Sequence, residues 1–170
     1  MNRRQLLLVS IASLAAGLGG SANAAEEHND PALIKLIGNA KVTLQQGLTA
    51  SAQQGQPISA KFEVEDGKLQ LSVYTAKEGK FSEVIVDHTT GKVAKTEAIT
   101  EGEDLAAAKS QSAAMAKAKA DLKTAVDKAA AQMSGSRAIS VIPALKAERA
   151  VASVTLLSGE QFKTVEQLLE

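Results

Sequence analysis

The sequence predicts an α+β fold made of two helix-plus-antiparallel-sheet repeats. Three observations carry that reading. Residues 57–98 alternate apolar and polar side chains with period two. Two other stretches place apolar residues at helical spacing. Shifting the chain by 81 positions sets Ile58-Ser59 on Ile139-Ser140, Ser72-Val73 on Ser153-Val154, Phe81 on Phe162 and Val84 on Val165.

The elements follow in order. Asp30-Pro31 starts a short helix, because Asp caps and Pro suits the first helical position. Thr43-Leu44-Gln45-Gln46 is a capping box that opens a second helix, Leu44 to about Gln53. Ile58, Ala60, Phe62 and Val64 then alternate with Ser59, Lys61, Glu63 and Glu65 as a half-buried strand. Asp66-Gly67 is a two-residue hairpin turn, since both positions tolerate positive φ. Leu69, Leu71 and Val73 lie on the return strand. A turn at Lys77–Lys80 leads to a third strand ending at Val86, and Lys92–Ala98 forms a fourth.

An acidic boundary at Thr100–Asp104 precedes an Ala-rich segment, Leu105 to Met133. Its apolar stripe through Met115, Leu122, Val126 and Ala129 predicts one amphipathic helix, with a break near Ser110-Gln111-Ser112. Ser134-Gly135-Ser136 ends it. Strands return at Arg137–Ile142, Arg149–Leu157 and Gln161–Leu169. Leu44 and Leu48 match Leu122 and Val126 at a shift of 78, so the helix-to-strand connection differs between copies.

The N-terminus predicts export. Arg3 and Arg4 form a positive region, Leu6 to Gly20 is uncharged and mostly apolar, and Ala22-Asn23-Ala24 is a cleavage site. Residues 1–24 therefore read as a signal peptide, cut between Ala24 and Ala25, and the destination as the periplasm or exterior. Asn2-Arg3-Arg4-Gln5-Leu6-Leu7 also resembles the twin-arginine export pattern, which leaves two routes open. The domain plan is a signal peptide over 1–24, an N-terminal segment with a short helix over 25–41, a first unit over 42–100 and a divergent second over 101–170.

Composition removes several function classes. Nineteen Lys and Arg balance nineteen Asp and Glu, which argues against a nucleic-acid or anionic-membrane partner. Aromatics are 2% of the chain, too few for stacking platforms. There is no Cys, hence no thiolate site, Cys nucleophile or disulfide.

The chemistry-bearing candidates are few. Asp87 and His88 sit with Thr89 and Thr90 just after an apolar run. A Ser-His-Asp arrangement is disfavoured because adjacent strand residues point to opposite faces. His28, the only other His, lies far off in the sequence, and no His-x-x-x-His pair exists. The plainer reading is mechanical: Asp87 closes an Asx turn, Thr90 spans it, Gly91 supplies positive φ and Lys92 restarts a strand. Glu63/Glu65 and Glu101/Glu103 lack an apolar cleft to act as acid and base. Lys109, Lys117, Lys119, Lys123 and Lys128 form a solvated helix face offset by acids. No glycine-rich phosphate loop is present. Tyr74 belongs either to the rim of a binding surface or to a second-layer contact.

The stretch from Lys61 to Lys95 resembles the PepSY domain family. The resemblance rests on Phe62, Val64, Asp66, Gly67, Val73, Val84, Val86, Asp87, Thr90, Gly91, Lys92 and Val93, with the helix from Val42-Thr43-Leu44 in the place of that family's leading helix. It covers about residues 42–97. The second copy fits more loosely and lacks the V-D-x-x-T-G-K element. The resemblance implies a helix packed on an antiparallel sheet, used as a non-catalytic module outside the cytoplasm and associated with peptidase regulation. A tandem resembles the beta-lactamase-inhibitor type of architecture. It implies no catalytic residue, no cofactor and no metal ligand. The expectation is an exported binding or regulatory protein with a periplasmic peptidase as candidate partner, and an envelope small-ligand or metal-ion binder as the alternative.

Overall fold

The computed structural model describes residues 30–170. The expected signal peptide, its expected cleavage point between Ala24 and Ala25, and His28 lie outside the described residues. Helices α1 (Pro31–Ile37) and α2 (Leu44–Ser51) precede strands β1 (Gln56–Glu65), β2 (Lys68–Lys77), β3 (Lys80–Val86) and β4 (Val93–Ile99). Helices α3 (Gly102–Lys117) and α4 (Leu122–Gln132) follow, then β5 (Arg137–Lys146), β6 (Arg149–Ser158) and β7 (Gln161–Leu168). The fold class is α+β. All seven strands form one antiparallel sheet, in the order β4-β3-β2-β1-β5-β6-β7.

Local chemistry sets most of these elements. Asp30 accepts from the Ala32 N–H at the start of α1. Thr43 and Gln46 form the reciprocal capping box of α2. Asp66 and Gly67 take φ of 50° and 74° in the β1–β2 turn, and Glu78 and Gly79 take 51° and 75° in the β2–β3 turn.

The two faces of the sheet are covered differently. Ile58, Ala60, Phe62, Leu71, Val73 and Val84 share one buried face. Helix α2 lies against it so closely that a Cβ on Gly47 would stand 2.6 Å from Leu71 Cδ2. Helix α4 runs beside α2, joined by a Gln45–Asp127 hydrogen bond of 3.2 Å. Ser59, Ser72 and Tyr74 point to the opposite face, and α3 crosses there: Ser59 Oγ donates to Gln111 and Tyr74 Oη to Asp104, both at 2.8 Å.

Three sequence expectations need correction. The Ala-rich segment is two helices on opposite faces, broken at Ala118–Asp121 and intact through Ser110–Ser112. The break is stabilised by Asp121, which caps α4 through the Thr124 N–H, and by Leu169, whose carbonyl accepts from Lys119 N–H at 2.7 Å. Helix α2 ends at Ser51, short of Gln53. Strand β5 runs past Ile142 to Lys146, and Pro143 sits inside it opposite Ala152.

Candidate functional site

The Asp87–Lys92 segment is a closed turn. Asp87 N–H donates to the Lys92 carbonyl and Gly91 N–H to the Asp87 carbonyl, both at 2.8 Å. One Asp87 carboxylate oxygen accepts the N–H of Thr89 and of Thr90, each at 2.8 Å. Those bonds hold the Asp87 carboxyl below the usual carboxylate range. Gly91 has φ of 74°. The carboxylate is thus directed at its own backbone.

His88 contributes its backbone to packing. Its carbonyl accepts from Lys41 N–H at 2.9 Å and from Val42 N–H at 3.0 Å, which pins the chain entering α2 to the end of β3. His88 Nδ1 is buried without a hydrogen-bond partner. Among the described residues no group of three or more His, Asp or Glu is placed to hold a metal ion. At the other end of the sheet, Lys119 and Ala120 donate to the Leu169 carbonyl just before α4 begins.

A polar layer lies between α3 and the sheet. Tyr74, half-buried there, keeps its phenol protonated far above its ordinary range, through desolvation first and the Asp104 hydrogen bond second. Ser72 Oγ donates to Glu83. Burial raises the Glu83 carboxyl, the Ser72 bond opposes this, and the charges of Glu63, Glu65 and Asp104 add to it. Glu63 takes Lys61 at 2.7 Å. A cavity of about 130 Å³ opens here between Ser59, Ser72, Tyr74, Asp104 and Gln111. Glu101 makes no side-chain cap to α3, and Glu103 lies in its first turn. The lysine series is divided between helices: Lys117 pairs with Glu148, and Lys123 with Asp127 at 2.7 Å.

The least expected feature is the seam between β1 and β5. Its ladder has only the pairs Ala60–Val141 and Lys61–Ser140. Pro57 and Pro143 lie on the two strands at one end of this ladder, where each removes an N–H that pairing would need. Beyond Lys61 and Ser140 the two strands make no further ladder pairs, and a slot of about 240 Å³ opens along the seam, with Lys61, Ser140 and Ile142 in its lining. Asp30, Leu33, Phe62, Glu63, Val64 and Ile139 also line it. Arg137 closes the seam on the helix side. Its Nη2 donates to the carbonyls of Ala40 and Val42, at 2.8 and 2.9 Å, and its guanidinium lies over the Phe62 ring. Burial lowers its pKa from the ordinary arginine value. Neither Arg137 nor the seam is announced by a motif; the only sequence signal is a proline in each of two strands that turn out to be neighbours.

Among the described residues no helix is long and apolar enough to cross a membrane. Comparison with protein-family models, with curated proteins and with solved structures returned no match.

Proposed function

We propose that the chain is an exported, non-catalytic binding protein of two PepSY-like units, which takes an extended segment of a protein partner in the slot between β1 and β5. A periplasmic peptidase is the candidate partner. The carrying observation is the two-pair seam: it leaves strand backbone beyond Phe62 without a ladder partner across the slot. Strand addition at such a position gives affinity through main-chain bonds and selectivity through side-chain pockets. Leu33, Phe62, Val64 and Ile139 would meet apolar side chains, while Glu63 in the same lining is already paired with Lys61.

Several correspondences support the two-unit reading. The caps Thr43 and Asp121 are 78 positions apart, and so are the buried sets Leu44, Gly47, Leu48, Ser51 and Leu122, Ala125, Val126, Ala129. The donors Lys41 and Val42 correspond to Lys119 and Ala120 at the same shift, while the acceptors His88 and Leu169 are 81 apart, the shift of the strands.

The test is a binding and inhibition series with purified periplasmic peptidases and an extended-peptide library. Val64→Trp, at a half-buried position lining the slot, fills it and is expected to abolish binding in protein that still folds, as read from its Tm. Binding that survives in folded Val64→Trp would place the docking surface elsewhere. The alternative, a small-ligand or metal-ion binder of the envelope, is favoured only by the polar cavity under α3, which has room for a few heavy atoms. A Tm rise with a metal or metabolite, lost in Tyr74→Phe, would support it.

A further inference from the structure

Strand β4 reads Val93-Ala94-Lys95-Thr96-Glu97-Ala98-Ile99. About Thr96 this is a palindrome of chemical type: Lys mirrors Glu, Ala mirrors Ala, and Val mirrors Ile. One side of β4 pairs with β3, and its other side is a free edge of the sheet. Lys95, Thr96 and Ala98 are exposed and Glu97 half-buried. Free edges are commonly blunted by an unmatched Lys, an inward charge or a Pro. Here there is no Pro, and the one Lys has its complement two residues on.

We propose that β4 is a homodimer interface, at which two copies of this chain pair antiparallel about a two-fold axis through Thr96 and join their sheets into one. Residues 95 and 97 lie on the same face of the strand, so this register sets Lys95 of each copy directly opposite Glu97 of the other. Within one chain Lys95 Nζ already lies 2.8 Å from Glu97. Pairing turns two such ion pairs into a square of alternating charge. The register shift near Ile85 and Val86 disturbs the strand next to Ala94, so residues 95–97 carry the register.

A second observation points the same way. Glu97 stands directly across from Glu83 on β3, a like-charge pair. Glu83 is in turn surrounded by the charges of Glu63, Glu65 and Asp104. The partner's Lys95 would bring a cation to the side of this acidic group that the single chain leaves open. The sheet's other free edge, β7, has no such symmetry: a two-fold at Thr164 or Val165 sets Lys163 against Val165 or Gln167.

Sedimentation equilibrium of the purified protein tests this, at about 0.02 M and about 0.5 M salt. The expected result is a dimer that weakens as salt rises. Lys95→Glu and Glu97→Lys each set like charges opposite one another and should weaken dimerisation about tenfold or more. The double variant K95E/E97K should restore it, and an equimolar mixture of the two single variants should form a heterodimer. Both positions are solvent-accessible, so at protein concentrations where every form is monomeric Tm should stay close to wild type in every variant. A protein that stays monomeric at low salt overturns the proposal. So does a dimer indifferent to both single substitutions, because its interface is then elsewhere.

Discussion

The guanidinium of Arg137 lies 5.6 Å from the centroid of the Phe62 ring. Phe62 is on β1 and Arg137 opens β5, so this contact crosses the seam where the two strands have stopped pairing. The same guanidinium reaches on to the Ala40 and Val42 carbonyls. One side chain therefore ties together both half-sheets and the connection that positions α2.

Removing that tie should be costly. Arg137→Met forfeits two charge-assisted hydrogen bonds and the ring contact, and leaves two carbonyls short of a donor. The expected loss is about 2–4 kcal/mol of stability, read from urea unfolding. Arg137→Lys should recover less than half of this, because the shorter side chain carries a compact, strongly hydrated ammonium that cannot lie flat over the Phe62 ring. A double cycle with Phe62→Leu should show coupling of about 0.5–2 kcal/mol. Additive losses would mean the ring contact contributes nothing.

Gly47 is required by Leu71. A Cβ at position 47 would meet three Leu71 side-chain carbons at 2.6 to 3.3 Å, and Leu71 is fully buried. Gly47→Ala should destabilise by about 1–3 kcal/mol despite the better helix propensity of alanine. The positions shifted by 78 and 81 are Ala125 and Ala152, a small pair in place of a glycine and a leucine. Gly47→Ala combined with Leu71→Ala should therefore cost less than the sum of the two single changes. A strictly additive result would show that the two sites do not share the volume.

Glu83 makes stability fall as pH rises. Its carboxyl is raised in the folded chain, so between the unfolded value of about 4.3 and the raised folded value the native state holds the extra proton. Stability is then lost as pH rises through that window. Glu83→Gln keeps an oxygen for the Ser72 hydroxyl and removes the charge. It should raise the urea midpoint at pH 7 and flatten the fall. An unchanged pH profile would show that Glu83 ionises freely in the fold.

Asp87 acts in the opposite direction. Its folded value is lowered by the Thr90 and Thr89 N–H groups, so its contribution is present above about pH 3.9 and is lost as pH falls through the lowered value. Asp87→Asn should lower the urea midpoint at neutral pH and bring it closer to wild type in acid. His88→Ala should leave the midpoint nearly unchanged, since the Lys41 and Val42 bonds end on the backbone carbonyl. A large loss in His88→Ala would assign a role to its buried Nδ1.

The legible parts of the sequence were those coded by neighbours in the chain. Asp66-Gly67 specifies its turn because both residues tolerate positive φ. The β5–β6 turn was not legible, because Ala147 and Glu148 occupy positive φ of 46° and 66° without the usual turn chemistry. The sequence reading ends this strand at Ile142, and the structure carries it on to Lys146. The break in the Ala-rich segment falls at Ala118–Asp121, away from Ser110–Ser112, for a related reason. Ser110–Ser112 looks like a weak point in helix propensity, yet Gln111 is held there by Ser59, a residue 52 positions away.

The sequence by itself determined the α+β class, the hairpins of the first meander, the capping of α2 and the apolar faces of the strands. Each is set by side-chain period and by local hydrogen bonds within a few residues. Only the tertiary structure decided that seven strands make one sheet, that α3 and α4 lie on opposite faces, and that Arg137 bridges the seam. Those outcomes depend on which distant surfaces meet. A ladder of only two pairs between β1 and β5 leaves no pattern in either strand alone beyond the two prolines that limit it.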